Sequence, residues 1–105
     1  MAQFDVYKNP SSSTKKLYPY LVDIQNPLIS EIATRIVIPL GRLSHFKNQI
    51  MKILTPEIDF NNDKLVLLTP QVAAMPANLL KAPIGSLSHY RHEIISSLDF
   101  AITGV

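Results

Sequence analysis

The chain closes with the stretch LSHYRHEIISSLDFAITGV, residues 87–105, which predicts one amphipathic α-helix running to the end of the sequence. At the helical step of about 100° per residue, its apolar and polar side chains separate onto opposite sides. The apolar stripe consists of Leu87, Tyr90, Ile94, Leu98, Ala101 and Val105, widened by Ile95 and Ile102. The polar side consists of His89, His92, Ser96, Asp99 and Thr103, with Phe100 exposed among them. An aromatic ring on a polar face indicates a surface that binds a partner.

Short strands separated by proline and turn residues precede this helix. Residues 4–6 and 20–24 repeat with the period of two that half-buried strands show. Residues 35–40, RIVIPL, form a nearly continuous apolar run, which predicts a strand covered on both faces. Several short strands followed by one helix favour a mainly β protein, with an antiparallel sheet or small barrel and the helix packed on it.

A hairpin is predicted where Asn61 and Asn62 join strands at residues 57–60 and 64–69, because Asn tolerates the left-handed backbone of tight turns. The remaining predictions are a short strand at 72–75, an irregular strand at 79–80, and a loop at 41–54 that could contain a helical turn. Ser86 is expected to start the helix as its cap, by accepting a free backbone N–H.

Composition indicates a single globular domain, residues 1–105, without an internal repeat or linker. Apolar residues make up 47% and charged residues 17%, which excludes intrinsic disorder, and no apolar run approaches the roughly 20 residues of a membrane span. The absence of cysteine and of a signal peptide predicts a cytoplasmic protein. Residues 1–52 hold seven Lys/Arg and three Asp/Glu, a modest basic bias that favours an acidic protein partner over DNA.

No group of residues predicts catalysis, a cofactor or a metal site. His89 and His92 lie three apart, but zinc sites use three or four protein ligands, and the third histidine, His45, falls in an unrelated loop. The chain has no G-x-S-x-G motif, and its three glycines cannot form a phosphate-binding loop. We therefore expect a protein that is not an enzyme and acts by binding.

Seven segments occur in an order and spacing that resemble one protein family. They are residues 3–7 (QFDVY), 21–25 (LVDIQ), 35–40 (RIVIPL), 67–69 (LLT), 72–76 (VAAMP), 87–89 (LSH) and 104–105 (GV). Together they resemble the CcdB toxins, the gyrase-poisoning half of bacterial toxin–antitoxin modules. The resemblance implies an SH3-like antiparallel barrel with a small accessory sheet and a C-terminal helix, the CcdB/MazF-like toxin fold, assembled as a homodimer.

The resemblance also implies a gyrase-binding surface. In the family, the C-terminal segments of the paired subunits bind the gyrase A subunit and end in Trp-Gly-Ile. The corresponding contact positions here are Leu28, Ile29, His92, Ser96, Asp99, Ile102, Thr103, Gly104 and Val105. Thr103 stands in place of the tryptophan, and the chain contains no tryptophan, so the same stacking contact is absent. Phe100 either supplies another aromatic anchor or packs against a neighbouring loop or subunit.

By resemblance, the chain is a toxin of the bacterial cytoplasm that traps gyrase on cleaved DNA and so inhibits this topoisomerase. A CcdA-like antitoxin would neutralise it and, together with it, repress the operon; without the antitoxin we expect no direct binding of nucleic acid. One alternative is an RNA-cleaving toxin on the same barrel, which needs a basic groove, and the scattered Arg35, Arg42 and Arg91 argue against it. The other alternative is a degenerate relative that binds antitoxin only.

Overall fold

The computed structural model describes residues 2–26, 33–49 and 51–104 of the 105-residue chain. The strands in this part are β1 (Asp5–Lys8), β2 (Tyr20–Asp23), β3 (Thr34–Arg42), β4 (Glu57–Phe60), β5 (Asp63–Leu67), β6 (Ala73–Pro76) and β7 (Gly85–Ser86). The α-helices are α1 (Leu43–Phe46) and α2 (Arg91–Thr103). Short 3₁₀ helices occur at Lys47–Gln49, Thr69–Gln71, Ala77–Leu79 and Ser88–Tyr90.

The strands form one antiparallel sheet in which β3 is the central strand. The order is β4-β5-β3-β2-β1-β7, and β6 pairs with β3 outside this order. Val37 pairs with Asp23 of β2 on one edge of β3 and with Ala73 of β6 on the other. Since β5 pairs with the C-terminal end of β3, on the edge away from β2, β5 and β6 share one edge of this long strand. The sheet curls into a half-barrel, in keeping with the natural twist of β-strands.

The main core lies between one face of the sheet and α2. Its buried residues are Phe4, Val6, Val22, Ile38, Leu40, Ile58, Leu65, Leu67, Leu87 and Ile94. Because side chains alternate across a strand, the opposite face carries the intervening residues. There Tyr7, Leu21, Val37 and Leu80 form a smaller buried cluster. Residues 37–40 of β3 are thus buried on both faces, as the apolar run predicts, whereas Ile36, also in the predicted run, is 39% exposed.

A buried ion pair lies on the same face of the sheet as the smaller cluster. The Arg35 Nε donates to the Asp23 Oδ2 at 2.8 Å, and the Arg35 Nη2 lies 2.7 Å from the same oxygen. The other oxygen of Asp23 accepts the backbone N–H of Gln25 at 2.9 Å. Burial of both charges requires such pairing. Arg35 is therefore not available to a basic groove on the surface.

The predicted fold class is confirmed: the protein is mainly β, with an antiparallel half-barrel sheet and one C-terminal helix. Within the described residues, β6 takes the place of a separate accessory sheet as a short branch on β3. The hairpin is also confirmed, with positive φ angles of 51° at Asn61 and 63° at Asn62. None of the described helices has the length and apolar character to cross a lipid bilayer.

The structure decides two local predictions, those for residues 79–80 and for residues 41–54. The irregular strand predicted at residues 79–80 is wrong, because a 3₁₀ turn over Ala77–Leu79 directs the Leu80 side chain into the smaller cluster. The loop predicted at residues 41–54 does contain helical turns, at α1 and at Lys47–Gln49. The Phe46 side chain of α1 stacks on Tyr18 at a ring distance of 5.8 Å, so α1 packs against the loop between β1 and β2.

Candidate functional site

The C-terminal helix starts later than its sequence pattern predicts. α2 begins at Arg91 after a 3₁₀ turn over Ser88–Tyr90, because Leu87 keeps a non-helical backbone (φ −110°, ψ 27°) while its side chain is buried in the main core. The Ser86 hydroxyl accepts the backbone N–H of Ser88 at 3.2 Å. The prediction that Ser86 caps the α-helix is therefore wrong, and Ser86 stabilises the preceding 3₁₀ turn instead.

The predicted apolar stripe is buried in the first half of α2 and exposed in the second. Ile94 is fully buried, and Leu98 is half-buried against the main core. By contrast, Ala101 is exposed and Ile102 is 74% exposed. Ser97, a polar residue between these two regions, is fully buried, because α2 packs there on the 3₁₀ turn Thr69–Gln71 and not on the apolar sheet.

Four of the predicted gyrase-binding residues lie in a row along α2, which we call the polar line: His92, Ser96, Asp99 and Thr103. Their intervals of four, three and four residues bring them to one side of a helix. Ser96 is partly exposed and the other three are exposed. The helix wheel drawn from the sequence therefore predicts correctly that these side chains share a solvent-facing side.

The last turn of α2 is held by local hydrogen bonds. The Thr103 hydroxyl donates to the carbonyl oxygen of Asp99 at 2.6 Å. Gly104 adopts the left-handed conformation (φ 74°) and donates its backbone N–H to the carbonyl oxygen of Phe100 at 2.9 Å, a common way to end a helix. Both residues are exposed. The other predicted site residues, Leu28, Ile29 and Val105, lie outside the described residues.

Residues 51–56 lie beside α2, a neighbour that the sequence does not predict. They share a groove of about 340 Å³ with the N-terminal half of the helix, lined by Lys52, Ile53, Pro56, His92, Glu93 and Ser96. The Thr55 hydroxyl holds this segment in a closed turn, since it accepts the N–H of Met51 at 2.8 Å and donates to the Met51 carbonyl at 3.0 Å. The sequence shows only that Met51 and Ile53 are apolar residues in a loop, which does not place them beside α2; in the structure both are 58% exposed.

A second groove, of about 300 Å³, lies at the C-terminal half of α2. Its lining consists of Leu54, Thr69, Pro70, Val72, Phe100, Ala101 and Ile102. Phe100 is 38% exposed here and lines the groove together with Leu54 and Val72. In the single chain, the Phe100 ring thus has loop neighbours and an exposed part, so both of the roles predicted for it stay open.

The titratable side chains of α2 do not form a metal-binding cluster. The described part of the chain contains no cluster of three His, Cys, Asp or Glu residues that could hold a metal ion. His89 lies against the ring of Tyr90 at a centroid distance of 4.6 Å. On the opposite face of the sheet, burial and then the nearby carboxylates of Asp5 and Asp23 raise the pKa of the Tyr7 hydroxyl. What α2 offers to a ligand is shape, apolar area, hydrogen bonds and the exposed carboxylate of Asp99.

A comparison with protein-family models matches residues 3–104 with the family described as CcdB protein. The chain belongs to the CcdB family. The match extends from the first strand through the exposed end of α2, so it includes the whole described polar line. CcdB-family proteins are toxins of toxin–antitoxin systems that target DNA gyrase and poison it without catalysing a reaction.

Proposed function

We propose that this CcdB-family chain binds the A subunit of DNA gyrase through the exposed end of α2 and traps the enzyme on cleaved DNA. The observation that carries this proposal is that residues 99–104 are exposed although they include apolar side chains. Ile102 alone leaves 74% of its surface uncovered. Burying apolar surface yields about 25 cal/mol per Å², so this end of the helix retains free energy that a partner can use.

The missing tryptophan changes which groups supply the contact. Thr103 occupies the position of the family tryptophan, and its hydroxyl already donates a hydrogen bond to the Asp99 carbonyl oxygen at 2.6 Å. The remaining groups are the carboxylate of Asp99 in the polar line and the apolar surfaces of Ile102 and Phe100 beside it. We infer that gyrase contacts these three side chains together with Leu28, Ile29, His92, Ser96, Thr103, Gly104 and Val105.

The mechanism requires binding alone. A protein shifts a conformational equilibrium of its target when it binds one state more tightly than the other. Here the toxin would bind the cleaved, open state of the gyrase–DNA complex more tightly than the resealed state. A homodimer would present two α2 ends to the paired gyrase A subunits, and no bond would be made or broken by the toxin.

Neutralisation by an antitoxin belongs to the same proposal. The partner would be a CcdA-like antitoxin that brings an acidic, largely disordered segment to the basic half of the chain, where opposite charge favours association. The two proteins together would repress their operon, and the toxin would act in the bacterial cytoplasm, where gyrase and its DNA are found. The toxin by itself would not bind nucleic acid.

The test is a supercoiling and DNA-cleavage assay with purified gyrase. The wild-type protein should accumulate cleaved DNA, and Asp99→Lys should need on the order of tenfold more protein for the same effect, equivalent to about 1.4 kcal/mol of binding free energy. Asp59→Lys is the matched control, since it makes the same charge change at an exposed residue of β4 outside the polar line. Equal potency of Asp99→Lys and wild type would remove the polar line from the proposed surface.

Cleavage of RNA by the pure protein in the absence of gyrase would contradict the proposal and favour the RNA-cleaving alternative. Antitoxin binding with no effect on gyrase at any protein concentration would favour the degenerate relative. Both measurements use the same protein preparation as the supercoiling assay.

A further inference from the structure

The exposed end of α2 extends beyond its last buried residue. Ile94 and Ser97 are the buried residues of the helix, and every described residue from Asp99 onward is exposed. Gly104 lies seven residues past Ser97, which is about 10 Å along a helix with a rise of 1.5 Å per residue. A tilt of about 10° at Ser97 would therefore move the tip by roughly 2 Å, more than a binding site tolerates. The contact at Ser97 thus controls where the tip points.

That contact is a pair of hydroxyl groups. The Ser97 Oγ lies 2.8 Å from the Thr69 Oγ1, and both residues are fully buried. Thr69 begins the 3₁₀ turn that follows β5, and its carbonyl accepts the backbone N–H of Val72 at 3.0 Å. The hydroxyl pair therefore connects α2 at Ser97 to the turn at the end of β5.

The direction of the hydrogen bond follows from counting protons. The Ser97 hydroxyl donates to the carbonyl oxygen of Ile94 at 2.8 Å. Since a hydroxyl has one proton, Ser97 cannot also donate to Thr69. The Thr69 hydroxyl must be the donor, and the chain of bonds runs from Thr69 to Ser97 to the Ile94 carbonyl. Each link has a preferred length and angle, which an apolar contact does not have.

We propose that Thr69 and Ser97 are positioning residues that set the orientation in which the end of α2 meets gyrase. This inference rests on the proposed function. An alanine at position 97 would have a higher helix propensity and would bury no polar group. The hydrogen bond between the two hydroxyls has a preferred length and angle. It therefore fixes the rotation of α2 and its distance from the Thr69–Gln71 turn, just before the residues that form the proposed contact.

The two partners of this bond respond differently to removal. Thr69→Val replaces the donor with a methyl group of the same shape, and Ser97 keeps its bond to the Ile94 carbonyl, so little stability is lost. Ser97→Ala leaves the buried Thr69 hydroxyl without its acceptor, which is the costlier defect. Thr69→Ser keeps the hydroxyl and loses only a methyl group. If Thr69 acts by positioning, the variant that keeps the hydroxyl, Thr69→Ser, should keep its affinity for gyrase. If Thr69 acts by packing, the variant that keeps the side-chain volume, Thr69→Val, should keep it instead.

The experiment measures the affinity of the full-length toxin for the gyrase A subunit in the wild type, Thr69→Val and Thr69→Ser. Thr69→Val should bind about tenfold more weakly while its melting temperature stays within about 3 °C of the wild type, and Thr69→Ser should bind like the wild type even if it melts earlier. Wild-type affinity of Thr69→Val, or affinity that falls in proportion to melting temperature in both variants, would overturn the proposal.

Amide hydrogen exchange at residues 100–104 separates this inference from the proposed function. Exchange there should be faster in Thr69→Val than in Thr69→Ser, because the last turns lose their fixed support. If the wild type fails to bind gyrase but this difference in exchange is found, the proposed function is wrong, and the Thr69–Ser97 pair still orders the end of α2. Equal exchange in both variants would overturn the positioning role whatever gyrase does.

Discussion

The two halves of α2 make opposite use of the same residue type. Ile94 in the first half is fully buried, whereas Ile102, eight residues later, is 74% exposed. The first half packs on the main core between the helix and the sheet, whereas the described residues from Asp99 onward are exposed. An apolar pattern along one helix is thus buried where the main core lies beneath it and exposed beyond that point, where we propose that gyrase binds.

The largest effect that can test this comparison is expected from Ile94→Ala. Removing a fully buried isoleucine should lower the free energy of unfolding by about 3 kcal/mol, from lost burial and the cavity left behind. The same change at Ile102 should cost about 0.5 kcal/mol or less, since its side chain makes few contacts. Urea denaturation of both variants measures the difference. Equal losses would mean that Ile102 is part of a core and not a surface for gyrase.

The next effect concerns the end of the helix. Gly104→Ala meets no atom within 4 Å, so its cost comes from the left-handed backbone (φ 74°) alone and is about 1 kcal/mol, confined to the last turn. Because that turn holds no buried residue, the melting temperature should hardly change, but affinity for gyrase should fall about fivefold. Gly104→Asn is the matched control, since asparagine tolerates this conformation. A full loss in both variants would point to side-chain obstruction instead of backbone strain.

The smallest effect concerns a second buried hydroxyl, that of Tyr7. Ser97 has two hydrogen-bond partners, whereas the Tyr7 hydroxyl has none among the described residues. Tyr7→Phe removes a buried polar group that makes no hydrogen bond, so it should leave the stability at neutral pH within about 0.5 kcal/mol of the wild type or raise it slightly. A loss of 2 kcal/mol or more in urea denaturation would show that this hydroxyl is bonded in solution.

The same variant should also change the response to high pH. Burial, followed by the charges of Asp5 and Asp23, raises the pKa of the Tyr7 hydroxyl above that of an unfolded tyrosine, while Arg35 lowers it in part. The neutral ring is therefore favoured in the folded state. Its contribution to stability is complete below about pH 10 and is lost as the pH rises through the folded pKa. Above about pH 10, the wild type should thus lose stability more steeply than Tyr7→Phe.

Local rules were sufficient for several parts of this protein. Asn61 and Asn62 predict the hairpin because their tolerance of positive φ depends on the residue itself. The polar line follows from helical periodicity, which needs no knowledge of the sheet. The apolar run in β3 predicts a strand that is covered on both faces, and residues 37–40 are buried in this way. In each case, a property of neighbouring residues decides the structure.

The misplaced predictions share one cause, which is contact between residues far apart in the chain. The pattern of α2 does not show that Ser97 is buried, because the Thr69 turn that covers it lies 28 residues earlier in the chain. Nothing in the sequence places residues 51–56 beside α2 or shows that Leu80 enters a second cluster. The late start of α2 depends on the burial of Leu87 against the sheet.

The amino-acid sequence by itself determined the class of fold, the hairpin and the side of the terminal helix that faces solvent, because backbone preference and periodicity are local properties. Only the tertiary structure decided where the helix stops contributing to the core and becomes a free surface. That boundary lies after Leu98, and it depends on where the main core ends beneath the helix and on one hydroxyl pair formed across the fold. Whether a residue is buried depends on which distant part of the chain packs against it, and the local sequence pattern does not specify that contact.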